Sequence, residues 1–167
     1  FTEAVTKFLK EVEPVIDEMD ALLARNKIFM DRTAGVGVVT KDRAIAYGFT
    51  GPNLRASGVA HDLRKARPYL GYEQYEFDIP VAEEGDCYAR YQVRMEELRQ
   101  SVRILRQVLD RLPSGPICVQ DAKNILPPKE KVLLSMEELI HHFIIATQGI
   151  SAPPGEIYFG AENPKGE

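Results

Sequence analysis

The sequence predicts a mainly α fold: a helical bundle with one long central helix and short flanking β elements. Three observations predict it. Apolar residues recur at three- and four-residue steps from Val5 to Leu23, from Tyr88 to Leu112 and from Met136 to Ile144, which is the spacing of amphipathic helices. The middle run, opened by Asp86 and stopped by Pro113-Ser114-Gly115-Pro116, makes a helix of about 27 residues, on the order of 40 Å long, which suits the spine of a bundle. Alternation of the β kind is brief, with Tyr75, Phe77 and Ile79 set against Glu76, Asp78 and Pro80.

In chain order, residues 1–25 form the first amphipathic helix, and Pro14 is expected to break or bend it near Glu13. Asn26 reads as its stop. A short β-branched run, AGVGVVT, leads to Thr40, the expected N-cap of a helix through Tyr47, with Gly48-Phe49 as its glycine C-cap. Gly51-Pro52-Asn53 reads as a turn. No helix or strand period fits the first half of Gly51–Val81, and the stretch gathers arginines, acids, glycines and prolines. After the long helix, Gly115–Pro128 reads as a loop. Ser135-Met-Glu-Glu138 is a capping box for a helix through Ile144, which can start as early as Lys129. Ile150–Gly155 is a proline-rich loop, and Glu156–Phe159 is a candidate strand. The heptad-like spacing of the long helix also fits a coiled coil, but it is under four heptads long with Tyr and Met in the seam, which favours an intramolecular bundle.

Composition excludes several functions. A net charge of −4 argues against nucleic-acid binding, although arginines concentrated at 55–67 and 90–111 suit a protein partner or anionic lipid. Cys87 and Cys118 are too few for a zinc or iron–sulfur ligand set and fit free thiols in a reducing compartment. No apolar run approaches the roughly 20 residues of a membrane-spanning helix, and no signal-peptide pattern is visible.

Candidate chemistry is sparse. Glu138 and His141 have the Glu-x-x-His spacing of di-iron bundles, but such a site needs a second copy, and the sequence has none; a structural role is preferred. The same holds for the His141-His142 pair. His61 beside Asp62 suggests an oriented imidazole, without a nucleophile to serve. Gly35-Val-Gly37 lacks the rest of a dinucleotide fingerprint. Arg55, Arg64, Lys65 and Arg67 can clamp an anion, yet pairing with acids such as Asp62 and Glu73 to lock the loop is preferred.

Eight ordered blocks carry a family resemblance: GVGVVT (35–40), GPNLRASG (51–58), DLRKARPY (62–69), YEFDIPV (75–81), GDCYARY (85–91), RMEELRQS (94–101), SMEELIHHF (135–143) and PPGEIY (153–158). Together they resemble the family of the hydrogenase-like large peripheral-arm subunit of respiratory complex I. The match is weakest over residues 1–24. The resemblance implies a helical bundle flanked by small β elements and related to the large subunit of nickel–iron hydrogenases. It also implies membership of a proton-pumping NADH:quinone oxidoreductase that uses NADH, FMN, iron–sulfur clusters and quinone. In that enzyme this subunit and its neighbour bearing the terminal iron–sulfur cluster form the quinone cavity, on the cytoplasmic face of the bacterial inner membrane or the mitochondrial matrix face.

The resemblance places the quinone-headgroup histidine and tyrosine on a β segment before Phe1, and a further cavity-wall segment after Glu167. Residues 1–167 are therefore expected to be one helical domain, an interior fragment of a longer subunit. The nickel-binding Cys-x-x-Cys pairs have no counterpart. No catalytic, cofactor-binding or metal residue is assigned to this stretch, and no cofactor is expected to be bound by it. Arg55, Asp62, Arg64 and Lys65 are expected to fix the central loop or meet another complex I subunit. The alternatives are a stand-alone helical binding or structural domain without redox activity, and a small di-metal carboxylate enzyme.

Overall fold

A computed structural model describes residues 1–119, 121 and 124–167. The chain forms two compact units. One comprises Phe1–Leu112 with Phe159–Glu167, the other Pro113–Tyr158.

The first unit is built on two long helices, α1 (Thr2–Leu23) and α6 (Cys87–Asp110). Leu9 and Ile16 of α1 are buried against Met95 and Val102 of α6, with Val5, Val12, Tyr91 and Leu109 around them. Pro14 does not end α1, which runs through it. Burying Leu9 and Ile16 on either side contributes roughly 1.5–3 kcal/mol each, enough to offset the roughly 3 kcal/mol that a proline costs inside a helix. Tyr91 donates to Asp20 at 3.3 Å and Tyr88 to the Ala24 carbonyl at 2.8 Å, fixing the end of α1 against α6. Asn26 caps the next helix as well as following the first: its side chain accepts from the Ile28 and Phe29 amides at the start of α2 (Lys27–Thr33).

Thr40 precedes α3 (Lys41–Ala46) as expected. Gly48 has φ 66°, and the Phe49 amide reaches the Ala44 carbonyl at 2.9 Å while the Gly48 amide reaches that of Ile45 at 3.0 Å, the bond pair of a Schellman cap. Gly51-Pro52-Asn53 is not a free turn. It opens a short helix, α4 (Gly51–Arg55), with Pro52 in the first turn where its missing amide costs nothing. α5 (Leu63–Ala66), capped by the Asp62 carboxylate, and a 3-10 turn (Tyr72–Gln74) complete this stretch.

The expected β elements are absent among the described residues, where the sole ladder contact is the isolated bridge Asn163–Gly166. Tyr75–Ile79 is extended and buries Phe77 as the alternation implied, yet its partner is a helix. Gln107 of α6 accepts from the Glu76 amide at 2.9 Å and donates to the Glu76 carbonyl at 2.7 Å, and Gln100 accepts from the Asp78 amide at 3.0 Å. Two glutamines on one helix face thus satisfy backbone groups that a strand ladder would otherwise take. The 35–40 run is also held without a ladder: its Val36, Gly37 and Val39 backbone groups bond to Cys87, Arg90 and Gly85. Glu156–Phe159 forms no strand either.

α6 begins at the expected cap and ends at Asp110, short of the expected Leu112: the Asp86 carboxylate accepts from the Ala89 amide at 2.7 Å and from the Gly35 amide at 2.7 Å. Burial alone would raise the Asp86 pKa; those two amides and nearby Arg90 outweigh it and hold the carboxyl below the ordinary aspartate value. Besides its α1 face, α6 buries a second face, Ala89 and Val93, against Ala56 just after α4. Gly85, at φ 65°, lets the chain pass so close to Val39 that any β-carbon would run into its carbonyl oxygen.

The second unit contains α7 (Lys129–Val132) and α8 (Met136–Gln148). The Lys129 start and the Ser135 start are thus separate helices. Ser135 caps α8 by accepting from the Glu138 amide at 3.5 Å, but its own amide donates to the Lys131 carbonyl at 2.9 Å rather than to Glu138, and its hydroxyl donates to Glu137 at 2.8 Å. The expected 115–128 loop includes residues 120, 122 and 123, which lie outside the described residues.

Candidate functional site

The short helices of the first unit converge on a buried cluster of charges. Arg55 ends α4 with 1% of its surface exposed. Its Nε and Nη2 meet Glu97 Oε1 at 2.7 and 2.5 Å, and its Nη1 donates to Glu162 Oε1 at 2.8 Å and to the His61 carbonyl at 2.9 Å. Asp62, equally buried, lies 3.8 Å from Arg55 and receives Arg64 through Nε and Nη2, the latter at 2.5 Å. Asp62 also accepts from the Arg64 amide at 2.9 Å as the α5 cap. Above Arg64 and Lys65 lies the Phe77 ring, 4.9 and 4.8 Å from the two cations, a geometry favourable for cation–π attraction.

Glu162 ties the returning segment 159–167 into this cluster. Its second oxygen accepts from the Leu63 amide at 3.3 Å, its own amide donates to the Tyr69 hydroxyl at 2.9 Å, and Phe159 packs edge-on against Tyr69. Nearby, the Glu167 amide donates to Thr50. Gly51 has φ 61° and no room for a β-carbon against the Gly166 backbone.

Burial would raise the Asp62 pKa, but the Arg64 bonds and charge, with Arg55 behind them, hold it below the ordinary value. Glu97 goes the other way: burial pushes its carboxyl up, and Arg55 only partly counters this. A cleft of about 390 Å³, lined by Arg64, Arg94, Glu97, Ser101, Glu162 and Asn163 among others, opens beside the cluster.

Of the residues singled out from the sequence, Arg55, Asp62 and Arg64 come together, and Lys65 joins them through Phe77. Arg67 lies exposed at the end of α5. His61 contributes its carbonyl rather than its ring, and the Asp62 carboxylate is committed to Arg64. The guanidiniums are met by carboxylates, which leaves an acid-lined lock in place of an anion clamp. Two acids of the lock escape sequence reading, Glu97 and Glu162, which lie 42 and 107 residues from Arg55. Glu97 left a trace: it falls four residues after Val93 and eight after Ala89, so it continues the α6 face whose other members are small and buried.

In the second unit, Glu138, His141 and His142 are half-buried on α8, and among the described residues no group of three potential ligands is placed to hold a metal ion. Cys87 starts α6 beside the Arg90 guanidinium and Cys118 is exposed. Two thiols do not fit an iron–sulfur cluster, which needs four ligands.

The family model described as "Respiratory-chain NADH dehydrogenase, 49 Kd subunit" matches residues 1–167. A protein of Methylacidiphilum infernorum, named as a subunit of NADH-quinone oxidoreductase, is 58% identical over 167 residues, covering 100% of this chain and 40% of its own length. Its namesake in Akkermansia muciniphila is 57% identical over 163 residues, 98% of this chain and 39% of that protein. The corresponding NADH-quinone oxidoreductase subunit of Opitutus terrae is 61% identical over 165 residues, again 98% and 39%. The chain spans about 40% of the length of the curated relatives it matches.

Proposed function

We propose a function from one premise: the chain belongs to the family of the 49 Kd subunit of respiratory-chain NADH dehydrogenase. It forms part of the quinone-site subunit of a proton-translocating NADH:quinone oxidoreductase, in which electrons pass from NADH through FMN and iron–sulfur clusters to quinone. Residues 1–167 act there as one helical domain that supplies scaffold and subunit contacts, and they carry none of the catalytic residues. α6 is the spine of a bundle related to the nickel–iron hydrogenase large subunit. The partners are other subunits of the complex, above all the neighbour bearing the terminal iron–sulfur cluster. The subunit sits peripherally, on the cytoplasmic face of the bacterial inner membrane or the matrix face in mitochondria. Among the described residues no helix is long and apolar enough to cross a membrane.

The observation that carries this reading is a family match sustained over all 167 residues. Two features of the structure support the scaffold role. The basic residues that invite a binding site are met by Asp62, Glu97 and Glu162. α8 in turn presents Met136, Ile140 and Phe143 to the outside, as a helix does when its partners belong to a larger assembly.

Arg55, Asp62, Arg64 and Lys65 fix the stretch between α4 and α6 in the shape that the assembly requires. Introducing Arg64→Ala into the intact subunit tests this, by thermal unfolding and by co-purification with the cluster-bearing neighbour. Both stability and recovery are expected to fall. Unchanged stability together with unchanged assembly contradicts the reading.

A further inference from the structure

The buried cluster holds more carboxylates than guanidiniums. Arg55 and Arg64 face Asp62, Glu97 and Glu162, which leaves one negative charge in excess when all three acids are ionised. In a water-poor interior such an excess is costly. Among the described residues no further cation pairs with these acids: Lys65, which shares the Phe77 ring with Arg64, is exposed and its charge lies in water. Asp17 and Asp20 of α1 pair with Arg99, and Asp78 and Glu76 of the extended segment lie on Arg103. Arg94, on α6 itself, is exposed and donates to neutral acceptors, the Arg90 carbonyl at 3.1 Å and Asn53 Oδ1 at 3.4 Å. Its charge is therefore screened by water.

The three acids are not equivalent. Asp62 is sealed and engages Arg64 with both oxygens. Glu162 commits one oxygen to Arg55 and the other to the Leu63 amide. Glu97 meets Arg55 through a single oxygen and, like Glu162, lines the open cleft. We propose that Glu97 is a proton-binding site, at which the carboxyl takes up a proton from solvent through the cleft and so brings the cluster to charge balance. The upward push of burial on this carboxyl, against the downward hold on Asp62, agrees in direction. A neutral Glu97 leaves the Arg55 charge to Glu162 and Asp62, so proton uptake tightens the hold on segment 159–167. This inference does not rest on the proposed enzyme: it follows from the charges of the first unit alone.

Carboxyl-detected NMR titration of the full chain reads the site directly. Glu97 is expected to titrate with a midpoint above 4.5, the ordinary value for a glutamate, and the Arg55 Nε–H resonance is expected to move with it. In Glu97→Gln that Arg55 titration disappears. A Glu97 midpoint at or below 4.5 in the unmodified chain overturns the proposal whether or not the variant folds. An Arg55 resonance that titrates unchanged in Glu97→Gln overturns it as well.

Discussion

Helices α6 and α8 have similar amphipathic patterns and opposite fates. α6 buries Met95 and Val102 against α1, Ala89 and Val93 against the α4 region, and Ile104 besides, whereas α8 has no buried residue. Phe143 of α8 is 66% exposed, while Leu9, opposite α6, is 3% exposed. The difference teaches that a helical period specifies a face and not its partner: most helical stability comes from tertiary packing. In the first unit that packing is present, and a buried charge cluster closes it. In the second unit α8 rests on its own propensity, its Ser135 cap and α7.

The largest test of this contrast is Arg55→Ala. It leaves Glu97 and Glu162 without their guanidinium partner, Asp62 keeping Arg64, and is expected to lower the unfolding free energy of the first unit by about 3–5 kcal/mol, read by urea titration. Next comes a matched pair. Leu9→Ala should cost about 2–5 kcal/mol, while Phe143→Ser should stay within about 0.5 kcal/mol. Equal costs would erase the distinction between the two units.

Acid provides a graded version of the same test. Asp62 and Asp86 are both held below the ordinary value of 3.8. Their stabilising contributions are complete above that pH and are lost as pH falls through their folded-state values. Near-ultraviolet circular dichroism of tyrosines in the first unit should therefore report a loss of packing beginning below about pH 3.8. Glu97 acts with the opposite sign: its raised value favours the folded state at low pH, and that contribution is lost as pH rises through its folded-state value. Among the changes expected to destabilise the first unit, Gln107→Ala is the mildest, at about 1 kcal/mol, with faster exchange of the Glu76 amide that Gln107 accepts from.

Much of the fold was legible in the sequence because local rules set it. The long helices follow from apolar spacing, Asp86 and Ser135 act as caps, and Gly48-Phe49 closes α3. What was not legible depends on distant partners. Proline chemistry left a break or a bend open at Pro14, and α1 runs through it without a break, packed on α6. Alternation at Tyr75–Ile79 pointed to a strand, but the backbone partners turned out to be glutamine side chains of a helix. At the site, Arg55, Asp62 and Arg64 stood out as charges on an irregular segment, and Asp62 was visible beside Arg64. Glu162 was hidden because an acid on a loop is ordinarily solvated and nothing local marks it as buried; Glu97 was marked only by its step from Ala89 and Val93 along one α6 face.

Native-state hydrogen exchange tests the contrast between the units most directly. The account predicts that amides of α6 from Val93 to Ile104 exchange only through global opening of the first unit. Amides of α8 from Leu139 to Ile144 should exchange at least tenfold faster, about 1.4 kcal/mol less protected. Equal protection of the two helices would contradict the account.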